Sequence, residues 1–230
     1  LKIPTIGINH IEGHILSTLI EKKIKFPFLS FIISGGHTSI IIVKNIFIYK
    51  IIGKSLDDAV GEVLDKISRK MKLKNGGSSI EKKAKNGIKN YIKIPNIKNK
   101  NKKNLNLSFS GIKTHIIKII KNKILDEITI CSICMETQKI IFSTLLKKCM
   151  IIKNKLNIKR IVLSGGVCCN KKLRNYFYEF GRKNDTEIYF PKKELCTDNG
   201  TMVAFSGYLR FKKKIIEKNY KINIDTNLKL

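Results

Sequence analysis

An α/β fold, a mixed sheet flanked by helices, is predicted from three observations. Two strand-like apolar runs, Phe28 to Ile33 and Ile161 to Leu163, each end in the same tripeptide, Ser34-Gly35-Gly36 and Ser164-Gly165-Gly166. Segments with apolar residues at helical spacing follow, around Val60 to Ile67 and Ile140 to Ile152. The chain has 230 residues, 43% of them hydrophobic, which is enough to fill one large domain or two small ones.

The charge is strongly one-sided. Lys and Arg number 46 against 17 Asp and Glu, a formal charge of +29 that favours a polyanionic partner such as RNA through counterion release. Lys, Ile and Asn are over-used in core-like and surface-like segments alike, so compositional drift accounts for the charge equally well. Six cysteines do not form a disulfide framework: Cys168 and Cys169 are adjacent, and Cys131 and Cys134 lie in a helix-like run without a second CxxC to complete a zinc site. Cys131 and Cys134 are expected to be small buried hydrophobes, and a reducing cytosol is the expected setting of the chain. No apolar run reaches the length of a membrane span and Leu1 to Ile8 lack signal-peptide anatomy, so no membrane association is expected.

A short strand is expected at Ile3 to Ile8, followed by a helix from Asn9 to about Ile20. Asn9 serves as N-cap, with Glu12 completing a capping-box pair. Two of the four histidines, His10 and His14, fall here four residues apart, on one face of the helix, where both can bind one metal ion. Ile11, Ile15, Leu16, Leu19 and Ile20 form a separate stripe, which places the histidines beside the buried face. Two ligands leave such a site incomplete, and packing histidines are the alternative. Ile11, not a glutamate, follows His10, which argues against a zinc-protease motif.

Phe28 to Ile33 and Ser39 to Val43 read as a hairpin joined by Gly35-Gly36. The glycines serve either a turn that needs positive φ or a close approach of backbone N–H groups to phosphate, aided by the hydroxyls of Ser34 and Thr38. A helix capped by Ser55 is expected across Gly53 to Lys66, burying Leu56, Val60, Val63, Leu64 and Ile67. Asp58, Glu62 and Asp65 share another face. Asp57 and Asp58 suit the helix dipole, while Asp65 lies past the first turn and suits ribose hydroxyls. Gly76-Gly77 closes this block, as a helix-ending loop or a second close-approach point. Residues 82–103 read as an exposed connection. A helix near Ile112 follows, with Lys113 opposing its dipole and so calling for an anion there.

Glu136 to about Leu156 is a long amphipathic helix with Ile140, Ile141, Leu145, Cys149 and Ile152 inward. The second strand-Gly-Gly unit then leads through Asn170 into a helix carrying Leu173, Tyr176 and Phe180, and its repetition favours a nucleotide cleft. Cys196-Thr197-Asp198-Asn199-Gly200 introduces a last helix from Thr201 to about Arg210. Asp198 is either its N-cap or a third metal ligand.

Six blocks carry a resemblance: NHIEGH (Asn9 to His14), SGGHT (Ser34 to Thr38), GKSLDDAVGEVLDK (Gly53 to Lys66), SFSGIKT (Ser108 to Thr114), LSGGVCCN (Leu163 to Asn170) and CTDNG (Cys196 to Gly200). In order and wording the chain resembles the tRNA N6-adenosine threonylcarbamoyltransferase family (TsaD, formerly called glycoprotease). The resemblance implies the actin-like ATPase (ASKHA) fold. It implies that His10, His14 and Asp198 hold one divalent metal ion, iron(II) first, with zinc or magnesium as alternatives. It implies that Ile32, Ile33, Ser34, Gly35, Gly36, Asp65, Gly77 and Asn170 bind threonylcarbamoyl-AMP. The implied reaction is transfer of the threonylcarbamoyl group to N6 of the tRNA adenosine next to the anticodon, releasing AMP, in company with partner subunits of that machinery. No side-chain nucleophile is assigned.

Three departures qualify the resemblance. The family carries more chain before NHIEGH, including a first phosphate loop, and position 1 here is Leu. The first lobe is therefore expected to be incomplete: residues 1–26 as its remnant, 27–195 as lobe two, and 196–230 as the returning helix and tail. The loop before Gly76-Gly77 is shorter and lacks its flanking prolines. Cys168 and Cys169 replace small residues before Asn170. Besides the acyltransferase, a non-catalytic tRNA- or subunit-binding module of the same fold is the alternative, and a metalloprotease the remote one.

Overall fold

In the computed structural model, which describes residues 5–92, 94, 104–215 and 230, one mixed sheet organises the chain. Its strands are β1 (Phe28–Ile33), β2 (Thr38–Asn45), β3 (Ile48–Lys54), β4 (Arg160–Ser164) and β5 (Glu187–Tyr189), in the order β3-β2-β1-β4-β5. β1, β2 and β3 form an antiparallel meander, whereas β4 runs parallel to β1 and β5 parallel to β4. β1 is central and every one of its residues is buried, which explains a continuous apolar run where a one-sided strand would alternate.

The period of two divides β1 between two cores. Leu29, Phe31 and Ile33 face a large core built with α2 (Val60–Lys70), α4 (Ser110–Lys121), α5 (Glu127–Leu156) and α6 (Lys171–Lys183). Phe28 and Ile32 face a smaller one with Ile41, Val43, Val162 and Ile15 of α1 (His10–Ser17). α3 (Gly76–Ala84) packs on α2 and α5, and α7 (Gly200–Lys212) packs on α1. Among the described residues no helix is long and apolar enough to cross a membrane.

The hairpin, the α1 helix, the second strand-Gly-Gly unit and the last helix stand where the sequence places them, and the long helix ends where expected, at Leu156. The differences have local causes. Residues 5–8 form no strand, and residues 1–4 lie outside the described residues. α2 starts at Val60, not after Ser55, because its first N–H is capped from another strand: Val60 N–H donates to Thr38 Oγ1 at 2.9 Å. Leu56 is consequently exposed, while Val60, Val63, Leu64 and Ile67 are buried. Gly76-Gly77 begins a helix instead of ending one. α5 starts at Glu127, capped by Asp126, and so takes in Cys131 and Cys134, both buried. β3 and β5 were not foreseen. In the connection expected at 82–103, residues 82–84 belong to α3, while 93 and 95–103 lie outside the described residues.

Two carboxylates have different work from that expected. Asp57 accepts hydrogen bonds from Phe109 N–H (2.8 Å), Ser108 Oγ (2.6 Å) and Ser110 Oγ (2.7 Å), clasping the segment that enters α4. Asp58 is buried between Lys66 (2.6 Å) and Lys113 (2.5 Å). The anion that Lys113 requires is thus supplied by the chain itself.

Candidate metal centre and adjoining cleft

α1 begins at His10 because Asn9 Oδ1 accepts from the N–H groups of Ile11 and Glu12. Helical spacing then brings His10 and His14 into edge contact, ring centroids 4.9 Å apart. The third member comes from the start of α7. Asn199 is the N-cap there, accepting from Met202 N–H at 2.8 Å, so Asp198 is released from capping. Asp198 Oδ1 lies 3.4 Å from His10 Nε2 and 3.1 Å from His14 Nε2. One ligand atom from each of the three residues falls within 4.8 Å of the others.

This set fits a divalent cation. Ligand atoms around a tetrahedral ion stand about 3.4 Å apart, close to the His-to-Asp separations here. His14 is fully buried, not beside the buried face as its spacing suggested, and both its ring nitrogens lack a directed hydrogen bond. Burial, then the neighbouring His10, holds its pKa below the usual imidazole value, against the pull of Asp198. A neutral imidazole with an unsatisfied nitrogen is what a metal requires of a ligand. Asp198, with 72% of its side chain exposed, opens the centre to solvent on one side.

That side is a cavity of about 500 Å³ lined by His10, Ser34, Gly35, Gly36, His37, Gly166, Thr197 and Asp198. A second cavity, of about 230 Å³, adjoins it and is lined by residues including Gly35, Gly61, Asp65, Gly77, Gly166, Cys169 and Asn170. Gly35 and Gly166, one from each Ser-Gly-Gly loop, are common to both cavities. Parallel pairing of β1 with β4 places the two loops side by side at the same strand ends.

The glycines divide by role. Neither Gly35 nor Gly36 has positive φ, and a Cβ on either would meet nothing within 4 Å. The turn does not need them; their missing side chains widen the cavity. Gly165 does need to be glycine, with φ +96° and a would-be Cβ 2.6 Å from Ile33 O.

Of the expected substrate residues, Ser34, Gly35 and Gly36 line the larger cavity, and Gly35, Asp65, Gly77 and Asn170 the smaller. Asp65 Oδ1 accepts from Gly77 N–H at 3.0 Å, which joins the two. Asn170 caps α6 through Leu173 N–H (3.0 Å) and donates to Gln138 Oε1 (2.8 Å). Ile32 and Ile33 are fully buried, one in each core, so their side chains support the loop from behind. The Thr38 hydroxyl accepts from Val60 N–H at the start of α2, and Thr38 is buried and lines neither cavity, while Ser34 Oγ accepts from His37 N–H at 3.1 Å. His37, whose ring centroid is 6.5 Å from that of His10, had no role in the sequence reading although SGGHT contains it. Glu12 was expected to be a capping residue; its carboxylate receives Arg210 Nε (2.9 Å) and Nη2 (3.1 Å), a partner no local spacing reveals.

Fold and site together define an α/β protein of the actin-like ATPase (ASKHA) class, with a candidate His-His-Asp metal centre beside a glycine-walled cleft. Residues 1–205 match the family model TsaD: tRNA N6-adenosine threonylcarbamoyltransferase, and the chain belongs to that family. Relatives of that name are 42% identical in Dictyoglomus turgidum, over 97% of this chain and 66% of the relative, and 42% identical in Sulfurihydrogenibium sp., over 100% and 65%. The chain therefore spans about two thirds of the length of these relatives. Among solved structures it is similar to full-length HypF in the phosphate- and nucleotide-bound form, with TM-score 0.68 and 13% identity, over 93% of this chain and 36% of that one. HypF of T. kodakarensis gives TM-score 0.65 at 14% identity, over 88% and 36%. At such identities the likeness shows the fold alone.

Proposed function

We propose that this chain works in transfer of the threonylcarbamoyl group from threonylcarbamoyl-AMP to N6 of the adenosine next to the anticodon in tRNA. The observation that carries the proposal is the sharing of Gly35 and Gly166 by the two cavities. A ligand lying across these glycines reaches Asp65, Gly77 and Asn170 at one end and, at the other, His10 and Asp198, the two members of the candidate metal centre that line the cavity.

In this reaction Asp65, braced by Gly77, receives ribose hydroxyls, and Asn170 borders the nucleoside. Gly35 and Gly36 bring backbone close to phosphate, with Ser34 shaping the loop and Ile32 and Ile33 anchoring it. His10, His14 and Asp198 hold one divalent ion, for which we propose iron(II), with zinc or magnesium as alternatives. When bound, such an ion supplies Lewis-acid polarisation of a carbonyl or phosphate oxygen. The adenosine N6 attacks the carbamoyl carbon; a C–N bond forms, the bond from that carbon to the phosphate oxygen breaks, and AMP leaves as the amine loses a proton. No covalent enzyme intermediate is needed.

We assign residues 27–195 to the second lobe, 1–26 to the remnant of the first and 196–230 to the returning helix and tail; α1 of the first segment packs with α7 of the last. The proposed setting is the cytoplasm, with tRNA and partner subunits of the modification machinery. The test is incubation of the chain with tRNA, threonylcarbamoyl-AMP, iron(II) and those partners, followed by mass spectrometry of the tRNA nucleosides. Appearance of threonylcarbamoyladenosine is expected. Absence of product while tRNA binding is intact would remove the catalytic assignment.

A further inference from the structure

Cys169 and Cys196 stand apart from the other cysteines. Cys169 closes the helical turn Gly166–Cys169 after the second Ser-Gly-Gly loop, is half-buried, and lines the smaller cavity. Cys196 is fully buried beneath it, two positions before the candidate ligand Asp198. Both thiols bond to the same short stretch of backbone, Cys169 Sγ to Lys193 O at 3.6 Å and Cys196 Sγ to Lys192 O at 3.5 Å, which makes the two side chains neighbours. Arg174 fixes the surroundings, donating Nε–H to Cys168 O at 2.7 Å and Nη2–H to Cys196 Sγ at 3.3 Å.

We infer that Cys169 and Cys196 form a redox modification site, in which peroxide converts the neighbouring thiols to a disulfide that ties the second Ser-Gly-Gly loop to the segment entering Asp198. The asymmetry of the pair assigns the order. Cys169, reached through the cavity, attacks the peroxide oxygen as thiolate; the O–O bond breaks, sulfenic acid forms and hydroxide leaves. The buried Cys196 then attacks the sulfenic sulfur, forming the S–S bond and releasing water. In sum, two thiols and one hydrogen peroxide yield one disulfide and two waters. The neighbouring Cys196 thiol, with the charges of Arg174 and Lys193, lowers the Cys169 pKa against its desolvation, which favours it as the attacking group. Cys131, Cys134, Cys149 and Cys168 are buried, and burial raises the pKa of each thiol, so they do not compete.

The inference does not depend on the transfer reaction, and its test reads thiols and metal binding. The reduced full chain is treated with a small excess of hydrogen peroxide, alkylated, digested without reductant and mapped by mass spectrometry. A Cys169–Cys196 linked peptide is expected as the main oxidised product, with cobalt(II) affinity shifted at least about threefold from the reduced chain. Cys196→Ser is expected to leave Cys169 as a sulfenic acid that dimedone traps. Should that variant not fold, Cys169→Ser at the half-buried position decides alone: the linked peptide and the peroxide effect on cobalt(II) affinity must both vanish. Any of four outcomes overturns the inference: an unreacted pair, Cys169 over-oxidised while Cys196 stays free, a link through Cys168, or a link that leaves cobalt(II) affinity unchanged.

Discussion

Glu12 and Arg210 meet in a two-point ion pair, Nε to Oε1 at 2.9 Å and Nη2 to Oε2 at 3.1 Å, which fastens α1 to α7. The Glu12 side chain is 3% exposed, so Arg210 takes the place of water beside the carboxylate. α1 carries His10 and His14, and Asp198 immediately precedes the N-cap of α7. Arg210→Ala is expected to destabilise the fold by about 3 kcal/mol, because a buried carboxylate loses its counter-charge. Urea denaturation measures this. Metal affinity should fall with it, since α7 positions Asp198 against α1.

Removal of a ligand should be more severe than loosening of the helices that carry it. Losing an outer partner of a metal site costs roughly 10–100-fold in affinity, and losing a direct ligand costs more. His14→Ala and Asp198→Ala are each expected to exceed that range in a zinc or cobalt(II) titration. Circular dichroism should show the fold retained in Asp198→Ala, because Asn199 and not Asp198 caps α7. Unchanged affinity in either variant would refute the centre.

What could be foreseen in the sequence was what short spacing encodes. The β1 and β2 strands, the His10-His14 pair and the two glycine loops each lie within a few residues. Where a partner comes from afar, local pattern misleads. Thr38 caps α2 from another strand, so Ser55 was the wrong choice for its start. Arg210 claims Glu12, and His14 is buried on a helix that packs against α7, β1 and β4, although nothing near either residue announces it. β3 and β5 escaped for a different reason: one carries several exposed residues and the other has three residues only, so neither shows a buried run. Asp198 was a choice between cap and ligand. Asn199 takes the cap, and the Asp198 carboxylate lies beside His10 and His14.

The two kinds of glycine in the cleft give a direct contrast. Gly165→Ala places a side chain at φ +96° with its Cβ 2.6 Å from Ile33 O, so a loss of about 2 kcal/mol or more is expected. Gly36→Ala meets nothing within 4 Å and should stay within about 0.5 kcal/mol of the parent in denaturant unfolding. The same substitution fills space in the larger cavity, so binding of AMP, measured by calorimetry, is expected to weaken. Equal stability loss in both variants would contradict the division.

Asp57 predicts an acid-sensitive junction between the sheet and α4. Burial raises its pKa, but hydrogen bonds from Phe109 N–H, from the Ser108 and Ser110 hydroxyls and from Ser110 N–H outweigh this and bring it down from 3.8 to about 2. The unfolded chain therefore takes up the proton first. The stabilisation is complete above the unfolded value near 3.8 and is lost as pH falls through the folded value near 2. Because the carboxylate is exposed, solvent screening reduces the amplitude. Asp58, Glu21, Asp126, Glu127 and Asp185 are also shifted downward and add to the acid slope. The informative quantity is accordingly a difference. Urea unfolding of the parent and of Asp57→Asn at about pH 5 and about pH 3 should give a stability gap that narrows at the lower pH. A gap that stays constant or widens on acidification would show that the clasp does not depend on the Asp57 charge.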